Sequence, residues 1–214
     1  MAKILSVVSR AGLARVLDPV ARTLLRAGIT PNAVTVAGTV GVCVGAIGFA
    51  PRGHLITALV IVTLSALTDM IDGAMARARG TASRYGALLD SAMDRVADGA
   101  IFGSVVYWLA VSGQHRGATA ALLCLVTGQV VSYVKARAES LGLRCDVGIA
   151  ERPERLITVG IGGLLEGLGV PHALEVALWL LALASVVTVG QRLGQAYRSS
   201  LEPVAPERVN SEAQ

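Results

Sequence analysis

The sequence contains few charged residues, few aromatic residues and little cysteine. Only 16% of its 214 residues are charged and 4% are aromatic, whereas soluble domains usually carry about 25% charged residues. This scarcity of charge argues against a soluble domain. The three cysteines, Cys43, Cys124 and Cys145, form no C-x-x-C pair, which excludes a local zinc or redox motif. We expect them to pack as small apolar side chains.

What the sequence has instead is long apolar runs. Hydrophobic residues make up 53% of the chain, and no charged residue occurs in 27–51 or in 117–134. Each run approaches the ~20 apolar residues that a helix needs to cross a bilayer. The sequence therefore predicts an all-α membrane protein. It places six transmembrane helices at about 31–50, 54–79, 84–112, 116–140, 153–169 and 172–196.

Two further segments flank the predicted spans. In residues 3–26, apolar residues and one basic face repeat at helical spacing, which predicts an amphipathic interfacial helix over residues 1–28. The prolines and charges of residues 199–214 predict a disordered tail. We expect a single membrane domain, residues 1–198, followed by this tail.

The basic residues indicate how the spans are oriented. Sixteen of the nineteen Lys and Arg residues fall on the same side of the membrane as the N terminus, whereas Arg52 and Arg116 fall on the other side and Arg95 lies within the third span. Cytoplasmic loops carry such an excess of Lys and Arg. The pattern predicts that both termini are cytoplasmic. It also accounts for the net charge of +4 without a nucleic-acid partner.

Acidic residues are concentrated between the second and third predicted spans. Two pairs, spaced three and four residues apart, would each project from one helix face; the four residues are Asp69, Asp72, Asp90 and Asp94. Carboxylates near a bilayer cost a few kcal/mol each unless a cation neutralises them. Oxygen ligands favour magnesium, manganese or calcium over zinc. Gly73 and Gly86 leave room for close approach of the two helices and of a ligand.

Two questions about the acidic residues stay open at this point. The first is whether the aspartates pair with nearby basic residues instead of a metal: Arg77, Arg79, Arg84 and Arg95. The second concerns Asp98, which continues the stripe of Asp90 and Asp94 by one more turn. It would either bond to neighbouring polar groups or helix backbone, or take a direct part in metal binding.

The acidic stretch follows the pattern D-x-x-D-G-x-x-A-R-x8-G-x-x-x-D-x-x-x-D. Its fixed positions are Asp69, Asp72, Gly73, Ala76, Arg77, Gly86, Asp90 and Asp94. This pattern resembles the signature of the CDP-alcohol phosphotransferase family in full. The six spans and the N-terminal interfacial helix are also similar to that family's architecture.

The resemblance implies an integral enzyme of the bacterial cell membrane, usually a homodimer, with its active site on the cytoplasmic side. Such an enzyme transfers the phosphatidyl group of CDP-diacylglycerol to an alcohol and releases CMP. It implies two metal ions, Mg²⁺ with Mn²⁺ as an alternative, bound by Asp69, Asp72, Asp90 and Asp94. Asp94 would also act as the general base. The residues implied in binding CDP-diacylglycerol are Thr30, Pro31, Asn32, Ala33, Gly73, Arg77 and Ser83.

The acceptor alcohol is indicated by basic residues on the cytoplasmic side. Their charge favours a phosphorylated acceptor, although each also fits an ordinary excess of positive charge inside. The segments S-Y-V-K-A-R-A-E and E-R-P-E-R resemble the branch of the family that uses inositol phosphate. That resemblance implies an acceptor-phosphate site formed by Ser132, Lys135, Arg155 and Arg192.

Other functions remain possible from the sequence. Within the family, the main alternative is an enzyme that uses glycerol 3-phosphate as the acceptor. A cardiolipin synthase is the third alternative. Outside the family, carboxylates within membrane spans are also typical of ion-coupled and proton-coupled transporters. A transporter of that kind would carry acidic residues near the middle of the bilayer and inverted repeats, neither of which the sequence indicates.

Overall fold

The computed structural model describes residues 18–79 and 83–202, except for the side chain of Asp69. Over these residues the chain forms helices and no β-strand. Residues 18–26 are helical and are called α1 here. The rest of the predicted interfacial helix, residues 1–17, lies outside the described residues. So does most of the predicted tail, residues 203–214.

Seven longer helices follow α1. They are α2 (Pro31–Phe49), α3 (Leu55–Ala66), α4 (Thr68–Arg79), α5 (Arg84–Val111), α6 (His115–Ser140), α7 (Arg152–Gly167) and α8 (Ala173–Ser200). A short 3-10 turn, Ala50–Arg52, extends α2. The last helix runs two residues into the range expected to be a tail.

Four described segments are long and apolar enough to cross a membrane. They are Pro31–Arg52, Leu55–Arg79, His115–Ser140 and Ala173–Ser200. Of the other two predicted spans, α5 carries several charged residues, and α7 has only 16 residues. The prediction of an all-helical membrane protein is therefore confirmed for the described residues.

The second predicted span is divided into two helices at Leu67. The Thr68 hydroxyl donates to the backbone carbonyl of Ser65 at 2.5 Å, and the Leu67 N–H bonds to the carbonyls of Thr63 and Ser65. A hydroxyl that takes a backbone acceptor competes with the regular helical ladder and bends the chain. The sequence predicted one continuous helix here because this competition depends on a side-chain rotamer. The break separates the acidic helix α4 from the apolar helix α3.

Glycines bring α2 close to α3 and α4. Gly38, Gly41 and Gly45 recur along α2, and each faces the neighbouring pair of helices. A Cβ atom on Gly38 would collide with Thr68 Oγ1, and one on Gly41 would collide with the Ser65 hydroxyl. Small residues of this kind allow the close helix packing found in membranes. The α2 helix therefore lies directly against the helix that carries the acidic motif.

The main core lies between α5, α6 and α8. It is built around fully or almost fully buried side chains that include Phe102, Leu109, Leu178 and Cys124. All three cysteines are free, and Cys124 and Cys145 are buried. Their burial matches the expectation that they pack as apolar side chains. The core packs against the second half of α5. Most of the first half of α5 lies outside this core and can line cavities.

We expect Gly38→Ala to destabilise the protein. The added methyl group would collide with Thr68 Oγ1, and overpacking of this kind costs about 1–3 kcal/mol. The measurement is the thermal unfolding midpoint in detergent micelles. Gly48→Ala is the matched control in the same helix, because a Cβ there meets nothing within 4 Å. Equal midpoints for the two variants would contradict the close packing of α2.

Candidate active site

Two cavities open side by side at the end of the bundle where α4 and α5 meet. The first, of about 520 Å³, lies between the start of α2, α4 and the start of α5. Its lining contains eleven residues of these segments and three from elsewhere on α5 and α7: Thr30, Pro31, Asn32, Thr35, Asp72, Gly73, Ala76, Arg79, Ser83, Gly86, Ala87, Asp90, Asp94 and Arg152.

The start of α2 forms one wall of this first cavity. Thr30 caps the helix, since its hydroxyl accepts from the Ala33 N–H at 3.2 Å, and Pro31 occupies the first turn. A helix N terminus carries unpaired N–H groups and partial positive charge, both of which favour a phosphate. The T-P-N-A turn therefore presents an anion-binding end to the cavity.

A second helix N terminus faces the same cavity. Ser83 caps α5 by accepting from the Gly86 N–H at 2.8 Å. A Cβ on Gly86 would lie 3.3 Å from the Asn32 side-chain oxygen, so glycine allows the starts of α2 and α5 to approach. Two capped N termini thus converge on one space, which suits a ligand with two phosphates better than one with a single charge.

Three of the four motif aspartates line the first cavity: Asp72, Asp90 and Asp94. Asp72 is 7% exposed and accepts from the Thr35 hydroxyl at 2.5 Å. Asp69 precedes it by almost one turn of α4, but its side chain is not among those described. Among the described side chains, no three acidic, histidine or cysteine groups are close enough to hold a metal ion together. The donors are all carboxylate oxygens, which fit a hard divalent cation.

Basic residues of α4 complete the first cavity. Arg79 lines it, although the sequence analysis predicted no role in binding for this residue. Arg77 and Ala33, both implied in CDP-diacylglycerol binding, do not line it. The Arg77 guanidinium lies beside Gly73, where a Cβ would come within 3.4 Å of Nη1. Arg77 is thus within reach of the glycine-containing turn of α4.

The second cavity, of about 770 Å³, lies between α5, α6, α7 and α8. All four predicted acceptor residues line it: Ser132, Lys135, Arg155 and Arg192. Arg95 of α5, which the sequence placed only near the acidic group, also lines it. The Arg95 guanidinium donates to the Ser132 hydroxyl. The cavity is therefore strongly basic on several sides.

Each guanidinium nitrogen of Arg192 donates a hydrogen bond to another group of the protein. Nη1 donates to the Val131 carbonyl at 2.7 Å, Nε to the Val147 carbonyl at 2.9 Å, and Nη2 to Glu151 at 2.9 Å. The residue is 3% exposed. It ties the segment between α6 and α7 to α8, and it contributes positive charge to the cavity wall.

Asp98 binds the arginines of α7. Its carboxylate lies 2.7 Å from Nη2 of Arg155 and 3.3 Å from Nε of Arg152, and Nη1 of Arg95 is 3.6 Å away. Asp98 therefore bonds to neighbouring polar groups, one of the two possibilities that the sequence left open. The signal was present in the E-R-P-E-R segment, where Arg152 and Arg155 are three residues apart and share a helix face.

Arg152 and Asp94 line both cavities. Nη1 of Arg152 donates to Asp94 Oδ1 at 2.7 Å, and Asp94 Oδ2 lies 3.9 Å from Nη2 of Arg95. The motif aspartate at the end of the pattern thus stands at the boundary of the two spaces. Thr35 and Arg152 join Arg79 and Arg95 among the lining residues that sequence reasoning missed. Thr35 contacts Asp72 and Arg152 contacts Asp94 across long stretches of sequence, which local spacing does not indicate.

An apolar groove of about 680 Å³ begins beside this boundary. It runs between α3 and α7, and its lining is almost entirely hydrophobic. Ala66, Ile101 and Leu156 line both the groove and a small cavity that contains Asp94 and Arg152. Following α3, the groove extends along about 18 Å of helix. It connects the polar site with the part of the molecule that is apolar enough to face lipid.

Curated relatives resemble the chain over nearly its whole length. Residues 28–190 match the model of the CDP-alcohol phosphatidyltransferase family. A phosphatidylinositol phosphate synthase from Mycobacterium marinum is 50% identical over 215 residues, which cover 94% of this chain and 90% of the relative. The corresponding synthase from Mycobacterium tuberculosis strain H37Rv is 48% identical over 201 residues, 90% of each chain.

Solved structures agree with these relatives. The crystal structure of the M. tuberculosis phosphatidylinositol phosphate synthase with CDP-DAG bound has a TM-score of 0.84 and 47% identity, covering 89% of this chain and 99% of that one. The same synthase in complex with manganese and citrate has a TM-score of 0.83 and 47% identity, covering 88% and 93%. The prediction from the acidic motif is confirmed: the chain belongs to the CDP-alcohol phosphatidyltransferase family.

Proposed function

We propose that the protein transfers the phosphatidyl group of CDP-diacylglycerol to a hydroxyl of inositol phosphate, giving phosphatidylinositol phosphate and CMP. The observation that carries this proposal is that Asp94 lines both cavities. One carboxylate can therefore reach a donor in the first cavity and an acceptor in the second. The relatives at about half identity, which are phosphatidylinositol phosphate synthases, support the choice of acceptor.

The first cavity would hold the CDP portion of the donor. Its two helix N termini would face the diphosphate, and Arg79, at the C-terminal end of α4, would add a side-chain positive charge. Direct contacts are proposed for Thr30, Pro31, Asn32, Gly73 and Ser83, with Ala33 and Arg77 supporting the same walls. Glycine at 73 and 86 leaves space for the ligand.

The acidic residues would hold the divalent cations. We assign two Mg²⁺ ions, with Mn²⁺ as an alternative, to Asp69, Asp72, Asp90 and Asp94. When bound, such ions stabilise negative charge on the phosphate oxygens of the donor. The Thr35 hydroxyl fixes one oxygen of Asp72, which orients the other. The manganese present in the relative's crystal structure supports a divalent cation as the cofactor.

Asp94 would act as the general base. It accepts the proton of the acceptor hydroxyl, whose oxygen forms the new bond to the phosphatidyl phosphorus. The bond between this phosphorus and the oxygen of CMP breaks, and CMP leaves with the electron pair. Proton transfer by a positioned carboxylate contributes about 10²–10⁴-fold to such reactions. Arg152, which donates to Asp94 at 2.7 Å, keeps that carboxylate at the boundary.

The second cavity would bind the phosphate of the acceptor. Ser132, Lys135 and Arg155 supply hydroxyl, ammonium and guanidinium donors, and Arg192 adds charge from the wall. Donors of these types recognise phosphate well. Glycerol 3-phosphate carries the same group and remains the second candidate acceptor on that ground.

We also propose how the protein sits in the membrane. Six spans, formed by α2, α3 with α4, α5, α6, α7 and α8, would place both termini and both cavities on the cytoplasmic side of a bacterial cell membrane. Arg52 and Arg116 at the opposite end of the bundle support this orientation. Residues 1–198 would form one membrane domain with an interfacial helix at 1–28, residues 199–214 would be a tail, and the enzyme would be a homodimer.

The apolar groove between α3 and α7 would hold an acyl chain of the lipid donor. It begins beside Asp94 and continues along the apolar part of the bundle. A donor could therefore place its diphosphate in the polar site while a chain stays among hydrophobic side chains. CMP, which is soluble in water, would leave from the polar end.

The proposed function predicts release of CMP from CDP-diacylglycerol in the presence of inositol phosphate and Mg²⁺. The measurement is CMP formed by the purified protein with inositol phosphate, inositol or glycerol 3-phosphate as acceptor. Asp94→Asn is the control, because it removes the base while keeping the size of the side chain. We expect it to lower turnover by about 10²-fold or more and to retain binding of CDP-diacylglycerol. Turnover with glycerol 3-phosphate and none with inositol phosphate would contradict the proposed acceptor.

The position of Thr35 predicts that Thr35→Val weakens metal binding. The change removes the hydrogen bond to Asp72 and keeps the shape of the side chain. Loss of a partner that orients a metal ligand typically costs about 10–100-fold in metal affinity, so we expect the half-saturating Mg²⁺ concentration to rise about tenfold. Thr39→Val is the control, since its hydroxyl donates to the Thr35 backbone carbonyl. An unchanged Mg²⁺ requirement in Thr35→Val would speak against metal binding at Asp72.

The groove predicts a selective effect of Gly163→Leu. Gly163 lines the groove, and a Cβ there meets nothing within 4 Å, so leucine would occupy space that an acyl chain needs. Each buried methylene is worth about 0.8 kcal/mol, and loss of two such contacts raises KM roughly tenfold. We expect this for dioleoyl CDP-diacylglycerol and little change for the dihexanoyl form. Gly190→Leu, at an open position on α8, should change neither value. An equal effect on both donors would contradict the assignment.

A further inference from the structure

Asp98 is the buried acidic residue that the reaction described above does not use. It lies on α5 one turn beyond Asp94 and is 3% exposed. Both carboxylate oxygens face guanidinium groups, Oδ2 at 2.7 Å from Arg155 and Oδ1 at 3.3 Å from Arg152. A carboxylate in an apolar helix bundle needs such partners. The partners themselves, however, line the two cavities.

Arg155 is buried with only part of its guanidinium hydrogen-bonded among the described residues. The residue is 1% exposed, and Nη2 is used by Asp98. Its Nε and Nη1 atoms are buried and have no hydrogen-bond partner among the described residues. Buried guanidinium N–H groups are costly when they remain unpaired. Because Arg155 lines the second cavity, an anion bound there would supply the missing acceptor atoms.

The backbone of α6 restricts Arg155 from the other side. A Cβ on Gly128 would lie 3.2 Å from Nε and 3.4 Å from Cζ of Arg155. The guanidinium is therefore confined between the Asp98 carboxylate and the surface of α6. A side chain as long as arginine usually has many rotamers, and this confinement leaves it few.

Asp98 also restrains Arg152. One nitrogen of that guanidinium donates to Asp98 and another to Asp94, so the arginine bridges the two carboxylates. Asp94 keeps its place at the boundary of the cavities through this bridge. A single buried carboxylate thus orients one arginine toward the acceptor cavity and one toward the proposed base.

We propose that Asp98 is a positioning residue for the acceptor: it fixes Arg155 for the acceptor's phosphate and Arg152 against Asp94. The proposal rests on the proposed transferase function. It deepens that function by assigning a specific task to a residue outside the family's motif. Asp98 would not touch either substrate and would act through the two arginines.

The test is Asp98→Asn, which keeps the size of the side chain and removes its charge. Hydrogen bonds to charged groups are strong enough that we expect KM for inositol phosphate to rise about tenfold or more. KM for CDP-diacylglycerol should change less than about twofold. A change that small means that binding of the donor loses less free energy than one hydrogen bond usually contributes. Inorganic phosphate should compete with the acceptor for the same site, and its inhibition should weaken as KM for inositol phosphate rises. A purely structural role would lower the amount of active enzyme and leave both KM values unchanged.

Gly128→Ala provides a second variant that leaves Asp98 intact. The added methyl group would push Arg155 from its place, and we expect the same selective rise in KM for the acceptor. Gly117→Ala is the matched control in α6, since its Cβ would meet Leu109 side-chain atoms at 3.3 Å far from both cavities. It should lower the thermal midpoint without changing either KM. If Asp98→Asn does not fold, the comparison of acceptor KM between Gly128→Ala and Gly117→Ala tests whether the position of Arg155 controls acceptor binding.

The outcomes separate this proposal from the proposed function. No turnover of the unmodified enzyme with inositol phosphate would overturn the acceptor assignment, and the variants would then be measured with glycerol 3-phosphate, which carries the same phosphate. An unchanged acceptor KM in Asp98→Asn would overturn the positioning role. An equal rise in KM for donor and acceptor would also overturn it, as would a normal acceptor KM in Gly128→Ala.

Discussion

The pairing of Asp98 with Arg152 and Arg155 is the interaction on which the geometry of both cavities depends. Both arginines lie in the first turn of α7, where the positive end of the helix dipole makes a basic residue unfavourable. The carboxylates of Asp98 and Asp94 offset that cost. The pairing therefore links the first turn of α7 to α5. Without it, the second cavity would lose one wall and the boundary between the cavities would lose its bridge.

Close packing by small residues positions α2 and α4, two of the helices that line the first cavity. Gly38 and Gly41 bring α2 against Ser65 and Thr68, and the break at Leu67 lets α4 run in its own direction. Because α4 then lies on α2, the Thr35 hydroxyl can reach Asp72. The same residues that make the helices pack closely in lipid thus bring a hydroxyl to a carboxylate that is proposed to bind metal.

Helix positions and the acidic side of the first cavity could be predicted because both follow from local spacing. Apolar runs give helices, and spacings of three and four place Asp90 and Asp94 on one face. Contacts between distant segments could not be predicted in this way. Thr35 meets Asp72 across 37 residues, and Arg152 reaches α5 only once α7 is docked. The break at Leu67 was missed because it depends on one hydroxyl bond that hydrophobic periodicity does not report.

The meeting of the two cavities at Asp94 also bears on how the proposed reaction would proceed. In an in-line displacement the attacking and leaving oxygens lie on opposite sides of the phosphorus. An acceptor in the second cavity would approach from the side of Asp94, whereas the CMP leaving group would lie in the first cavity, whose N termini of α2 and α5 would face the diphosphate. Separate cavities therefore keep the two oxygens apart, and a shared carboxylate still links them. Through the Arg152 bridge between Asp94 and Asp98, the position of the proposed base would depend on the same carboxylate that pairs with Arg155, the arginine proposed to bind the acceptor.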